Sequence, residues 1–253
     1  PGLEVAFLQV PGLEVAFHQI SDQEQWSNTC SAPTRLVSVM QATLFGTLPF
    51  ALAEITDRVR RTMLDGDCWI DHVDRWAAGA DDLHLELLGT LDWRSHSRWI
   101  VDREVIEPRL STGIARPSAP LCRMAARLAH HYDQAFTASW ANLYRDGNDS
   151  VAWHGDRFRP GAEHETVALV SLGGPRTFRV RPRGGGPSHA WNLASGDLLV
   201  MGGPTQHRFE HSVPKASHAP ARVSIAFRCP RGREFDPAVL DGPAGRRLEA
   251  SRL

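Results

Sequence analysis

The sequence is nearly without lysine. Lys215 is the single one among 28 basic residues, and the others are arginine. The skew reads as codon bias in a GC-rich genome rather than a demand for guanidinium chemistry. Net charge is almost absent too, at −1 over 253 residues, which argues against a protein that grips nucleic acid by bulk electrostatics. Long apolar runs are missing, since none approaches the roughly 20 residues that span a bilayer. Nor does a basic segment lead into an apolar stretch as in a secretory signal. These absences predict a protein without membrane attachment, working in the cytoplasm. Cysteine is sparse: Cys30, Cys68, Cys122 and Cys229 are scattered, with no C-x-x-C among them. That pattern disfavours a zinc ribbon and predicts free thiols in a reducing compartment.

What is present is an ordinary globular composition, 42% hydrophobic and 23% charged, in a chain long enough for one large domain or a domain with an extension. Residues 1–20 are a near-perfect tandem repeat, PGLEVAFLQV then PGLEVAFHQI. Two copies are too few for a solenoid, which needs about three or more. Residues 1–39 therefore read as an extension outside the core, with Met40 the candidate native start. Apolar spacing predicts helices over 49–63, 79–91 and 121–136, a D-G-D turn at 65–67 and a short strand over 68–73. A further strand is expected ahead of Pro108, and 115–120, with two prolines, reads as a loop. After residue 136 the period changes to two. Strands are expected at 138–144, 150–155, 165–172, 176–181, 190–193, 197–201, 207–213 and 221–228, separated by Gly-, Asp- and Pro-rich turns. This predicts a mainly β fold with α-helices, a sandwich, jelly roll or barrel, its N-terminal helices flanking the core. The layout is a helical region over 40–120, a β core over 121–230 and a tail over 231–253.

The chemistry concentrates from Ala141 to Asp156, A-N-L-Y-R-D-G-N-D-S-V-A-W-H-G-D. On strands, residues two apart share a face. Asn142 and Tyr144 then form one such pair, and His154 and Asp156 another, with Trp153 directed away into the core. An imidazole and a carboxylate aimed at one point are two thirds of the 2-His-1-carboxylate set that holds Fe(II) with open positions. The segment H-R-F-E-H offers His207 or His211 as the third ligand, and its order is not the H-E-x-x-H of a metalloprotease. On the last strand Arg222, Ser224, Ala226 and Arg228 share a face. If that face lines a pocket, its arginines require an anion such as the dicarboxylate 2-oxoglutarate; if it faces solvent, they are ordinary surface charge. Two arginine-rich stretches could track a nucleic-acid strand. One has Arg94, Arg98, Arg103 and Arg109 with Trp93 and Trp99 interleaved. The other has Arg157, Arg159, Arg176, Arg179, Arg181 and Arg183, diluted by Glu163 and Glu165. The competing reading is solvated strand edges and core tryptophans.

From about Trp93 to Arg228 the sequence resembles the AlkB family of Fe(II)- and 2-oxoglutarate-dependent dioxygenases, in the branch that includes the vertebrate AlkB homologues. The matching words are E-P-R-L (107–110), N-L-Y-R-D-G-N-D-S-V-A-W-H-G-D (142–156), V-S-L-G (170–173), G-D-L-L-V-M (196–201), H-S-V-P-K (211–215) and R-V-S-I-A-F-R (222–228). The resemblance implies a double-stranded β-helix, or jelly-roll, core over 121–230 and a substrate lid within 40–120. It implies iron held by His154, Asp156 and His211, the H-S-V-P-K context selecting His211. It places 2-oxoglutarate against Asn142, Tyr144, Arg222 and Arg228, with Ser224 where the family usually has asparagine. The implied cofactors are Fe(II), 2-oxoglutarate and O2. The implied reaction is oxidative dealkylation of N-alkylated bases, releasing succinate, CO2 and an aldehyde. The implied partner is alkylated single-stranded DNA or RNA, or a base flipped from a duplex, met by a monomer. Two departures bear on substrate. Phe158 stands where the family commonly has a base-reading acid, and S-T-G-I-A follows E-P-R-L in place of a Trp/Tyr-containing run. Arg157, Phe158, Arg159, Trp99 and Arg109 are the candidate substrate contacts. Two other functions stay open: hydroxylation of a small molecule or protein by the same cofactors, and a catalytically silent module binding metal or nucleic acid.

Overall fold

The structure, a computed structural model, describes residues 49–100, 102–156 and 165–229. The N-terminal repeat, Met40, Arg157, Phe158, Arg159 and the tail over 231–253 lie outside the described residues. The elements are β1 (Ala51–Leu52), β2 (Arg60–Asp65), β3 (Cys68–Val73), β4 (Ala77–Ala78), α1 (Ala80–Thr90), β5 (Arg94–Ile100) and β6 (Arg103–Gly113), followed by α2 (Ala119–Tyr132), β7 (Thr137–Tyr144) and β8 (Val151–His154). Then come β9 (Val167–Gly173), β10 (Arg176–Pro182), β11 (His189–Leu193), β12 (Leu198–Gly202), the single turn α3 (Thr205–Arg208), β13 (Phe209–Val213) and β14 (Arg222–Arg228). A large antiparallel sheet runs β2-β3-β12-β9-β14-β7-β6-β5, and a small one runs β11-β10-β13-β8. The mainly β, jelly-roll expectation holds. Among the described residues no helix is long and apolar enough to cross a membrane.

Period-two alternation gives the large sheet two different faces. One carries Ala141, Leu143, Val170, Leu172, Val223, Ile225 and Phe227, packed against Leu83 and Leu87 of α1 and Leu121, Met124 and Leu128 of α2. The other carries Tyr144, Leu169, Met201 and Ala226 toward Val151, Phe178, Val180 and Val213 of the small sheet. Each β14 side chain thus falls where its parity directs it: Val223, Ile225 and Phe227 under the helices, Arg222, Ser224, Ala226 and Arg228 between the sheets. Helix α2 is fastened from outside as well. The Tyr132 hydroxyl donates to Asp71 (3.0 Å), which also accepts two bonds from Arg61 (2.7 and 2.8 Å). The helix ends earlier than expected, at Asp133, whose φ of 50° is left-handed.

Three expectations are corrected. The helix predicted over 49–63 is one turn, with the Val59 amide bonded to the Ile55 carbonyl (2.9 Å). The chain then becomes β2, because Arg60 to Asp65 pairs in register with β3 and cross-strand bonding overrides a helical apolar period. The strand expected ahead of Pro108 is two strands, and β6 continues through that proline. It can do so because the β5–β6 ladder shifts register there and β7 pairing starts only at Leu110, so no ladder bond needs the missing N–H. The strand expected over 207–213 begins only at Phe209, and its first residues form α3.

Arg176, read as part of a basic surface stretch, is instead 2% exposed. Its guanidinium donates to the carbonyls of Asp146 (2.9 Å), Asp149 (2.6 Å) and Pro214 (2.8 Å), tying the turn before β8 to the loop after β13. Replacing it with a residue of similar volume but no donors, Arg176→Met, strands three carbonyls in a dry site. The expected loss is about 3 kcal/mol of unfolding free energy, measured by urea denaturation; an unchanged midpoint would contradict the clamp.

Candidate metal and anion site

The small sheet sets the first part of the site. His154 ends β8 and is the direct cross-strand partner of His211 on β13, with ring centroids 4.4 Å apart. Asp156 follows two residues later, and the ligand atoms of all three lie within 4.8 Å of one another. His154 Nδ1 donates to the Ala152 carbonyl (2.9 Å), a tautomer in which Nε2 carries the lone pair that a metal would take. His211 is 8% exposed and lies against Phe178 (5.4 Å between centroids). Burial lowers its pKa to about 3, so the ring stays neutral, as a ligand must. Burial works against ionisation of Asp156, but its surroundings outweigh that cost, with the Arg228 guanidinium bonded to it, and hold the carboxyl below its usual range. Two imidazoles and a carboxylate on one point, in a partly dry cleft, are the donor set that suits Fe(II).

The large sheet sets the second part. Arg222 is 1% exposed, and its Nε donates to Ser171 Oγ (2.8 Å) while the guanidinium lies 5.3 Å from the Tyr144 ring centroid. No carboxylate among the described residues pairs with it. Burial lowers its pKa to about 10. Nearby, Asn142 Oδ1 is buried without a hydrogen-bond partner, and Ser224 sits between Asn142 and Ser171 in the cross-strand register. Arg228 donates to Asp156 Oδ2 (2.5 Å) and so connects the two parts. The cleft that holds all of these has a volume of about 890 Å³. A buried cation without an anion is costly, and this one opens onto a space that a carboxylate can enter.

His154, Asp156, His211, Asn142, Tyr144, Arg222, Ser224, Arg228 and Arg109 all line this one cleft. His207 does not join them; it sits exposed on α3, which turns it away from the strand that carries His211. Of Trp99 the structure describes only the backbone, on β5. Trp153 points away from His154 as expected, but it is half-buried under Arg181 (4.1 Å) rather than in the core. Of the second arginine-rich stretch, Arg181 pairs with Glu210 (2.6 Å), Arg183 donates to the His207 and Gln206 carbonyls and Arg179 is exposed, while Arg157 and Arg159 lie outside the described residues. A second His/Asp group, His72, Asp74 and Asp197, is consumed internally: Arg60 pairs with Asp74 (2.5 Å), and the Arg75 and Ala194 amides donate to Asp197 (2.8 and 3.0 Å). Sequence reasoning missed Glu107 and Trp140, which also line the cleft. The signal was available, for Trp140 is two residues before Asn142 on the same strand and shares its face, ahead of the register shift that turns Ala138 toward the helices.

A family model described as the 2OG-Fe(II) oxygenase superfamily matches residues 54–233. The chain belongs to that superfamily. Its members are named for the two groups that this donor set and this buried arginine suit. Among curated proteins the chain is similar to alpha-ketoglutarate-dependent dioxygenase alkB homolog 3 of Rattus norvegicus, 32% identical over 136 residues, covering 47% of this chain and 45% of the relative. The Homo sapiens protein of the same name is 33% identical over 123 residues, 42% of each. DNA oxidative demethylase ALKBH2 of Homo sapiens is 34% identical over 131 residues, 46% of this chain and 50% of the relative. The chain thus spans about half the length of the curated relatives it matches.

The two His211 pKa values fix an acid sensitivity. The unfolded imidazole takes a proton near its ordinary 6.5, the native one only near 3, so falling pH through that interval favours the unfolded chain. In chelator-treated protein, unfolding free energy should decline between about pH 7 and pH 4, and His211→Gln should flatten that decline. Equal slopes in urea titrations of the two proteins would show that His211 is not held neutral.

Proposed function

We propose that this chain is an Fe(II)- and 2-oxoglutarate-dependent dioxygenase that dealkylates N-alkylated bases in DNA or RNA, as a monomer acting on a single strand or on a base flipped from a duplex. The observation that carries the reading is the convergence of two groups in one cleft: His154, Asp156 and His211, whose ligand atoms lie within 4.8 Å of one another, and the buried Arg222, which pairs with no carboxylate among the described residues. The named relatives, a dioxygenase and a DNA oxidative demethylase, support the substrate class.

In this reading His154, Asp156 and His211 hold the iron. Bound together, iron, 2-oxoglutarate and O2 supply the oxidising power: the co-substrate goes to succinate and CO2, and one oxygen atom goes to the alkyl carbon attached to nitrogen. The carbon–nitrogen bond of that hydroxylated carbon then breaks and releases an aldehyde. The protein contributes position and electrostatics. Arg222 takes the far carboxylate as a charge-assisted partner, beside the Tyr144 hydroxyl, to which Arg109 also donates (3.4 Å). The Asn142 side-chain amide adds a donor on the same face. Arg228 keeps Asp156 ionised and aimed at the metal. The dry sandwich interior strengthens each of these contacts relative to water.

The test is to incubate iron-loaded protein with 2-oxoglutarate and singly methylated oligonucleotides and to follow methyl loss by mass spectrometry alongside succinate. Both should appear together. Succinate with no methyl loss on any of several lesions would move the substrate to another class. Arg222→Lys should raise KM for 2-oxoglutarate at least ~30-fold with the metal still bound; an unchanged KM would remove the anion role.

A further inference from the structure

The three candidate ligands differ in how the backbone holds them. His211 lies inside β13, and His154 makes the last ladder pair of β8 against it. Asp156 is two residues further on, past the end of β8 at His154, so the ladder does not place it. From the large sheet, Arg228 bonds its carboxylate. From the small sheet the contact falls one residue earlier, on Gly155.

A Cβ built on Gly155 would overlap Nη2 of Arg183 and lie 3.1 Å from its Cζ and 3.3 Å from its Nη1. The guanidinium therefore occupies the space that a side chain between the two ligands would need. Gly155 is not among the glycines with positive φ, so its backbone suits other residues and only the missing Cβ matters. The end of an arginine side chain ordinarily moves aside at little cost, but this one is tied down. Arg183 follows β10 directly and meets the C-terminal end of α3 with three bonds. Its amide donates to the Arg208 carbonyl (2.9 Å), its Nε to the His207 carbonyl (2.9 Å) and its Nη2 to the Gln206 carbonyl (3.1 Å). The last carbonyls of a helix have no partner within it, and a basic side chain is a fitting donor to them. Helix α3 runs straight into β13, and His211 is three residues beyond Arg208. One guanidinium thus joins the start of the His211 strand to the segment that carries His154 and Asp156. Moving it off Gly155 breaks its bonds to α3.

We infer that Arg183 is a positioning residue for the metal site: its guanidinium, fixed on α3, backs Gly155 and holds Asp156 in line with His154 and His211. The inference rests on the reading of those three as the metal ligands. Groups that touch no metal but orient its ligands change metal affinity by about 10- to 100-fold when removed. Arg183 and Arg228 divide that task, one from each sheet, at the one ligand that no ladder pair holds.

A double-mutant cycle tests the coupling. Co(II) affinity of the full chain is measured by competition with a chelator, followed in the visible absorption of the bound ion. Urea unfolding of each metal-free variant reports the fold separately. Wild type should bind Co(II), and His211→Ala should lose that binding. Gly155→Ala, whose methyl displaces the guanidinium, should weaken binding roughly tenfold or more, and so should Arg183→Ala. In the Arg183→Ala background, Gly155→Ala should change the affinity less than about threefold, because the methyl then meets no guanidinium. If Arg183→Ala does not fold, Arg183→Gln, too short to lie over Gly155, closes the same cycle. An arginine that only capped α3 would lower the urea midpoint when removed and leave the two losses of affinity additive. Additive losses, or an Arg183→Ala protein that binds Co(II) as tightly as wild type or more so, overturn the positioning role while the loss in His211→Ala keeps the ligand reading. Co(II) binding that His211→Ala leaves unchanged removes the ligand reading and the positioning role with it.

Discussion

One ion pair spans the gap between the two sheets. Arg228 comes from the large sheet, Asp156 from the segment just beyond the small one, and they meet at 2.5 Å. The rest of the cleft is arranged around this link. It fixes the separation of the sheets where the metal donors converge. It keeps Asp156 charged although burial opposes ionisation, and a neutral carboxyl would be a poor ligand. Arg222 of the anion corner and Arg228 of this ion pair both take inward positions of one strand, β14, with Ser224 and Ala226 between them. A one-residue slip of that strand would turn both arginines toward the helices and bring Val223, Ile225 and Phe227 into the cleft. The apolar contacts of those three with the outer helices therefore hold the register of the chemistry.

Two buried arginines show how differently the same cost can be met. Arg176 and Arg222 are both almost inaccessible, at 2% and 1%, and burial lowers the pKa of each. Arg176 is compensated within the chain by three backbone carbonyls. Arg222 has the Ser171 hydroxyl and the face of Tyr144. Structural arginines surround themselves with acceptors. An arginine left short of them beside an open volume is poised for an anion that arrives from outside. That contrast separates the two roles without reference to any relative.

The β half of the fold was legible because parity is a local rule: once Val223, Ile225 and Phe227 are known to be apolar, the facing of Arg222, Ser224 and Arg228 follows. The His/Asp/His set was legible as residues on strands, though choosing His211 over His207 needed the resemblance, and the structure gives the reason in α3, which interrupts the shared strand. Most of the failures were tertiary. Nothing in Arg60 to Asp65 announces that β3 will recruit it into a sheet. Nothing in R-T-F-R-V-R-P says that Arg176 is buried and Arg181 paired. Trp140 was missed for another reason: the inward-facing pattern of β7 was read from Asn142 onward and not carried one step back.

The fate of the arginines constrains how a polymer could be held. Nine of those described pair with carboxylates: Arg60, Arg61, Arg94, Arg127, Arg145 and Arg208, together with Arg109, Arg181 and Arg228 in and around the cleft. With a net charge of −1 and nine of the described guanidiniums already paired with carboxylates, the described residues offer a row of phosphates fewer open cations than the arginine content suggests, which lowers the salt-dependent share of binding. Phosphate contacts position a strand, whereas base contacts discriminate among bases. A protein poor in the first must draw its affinity from the second.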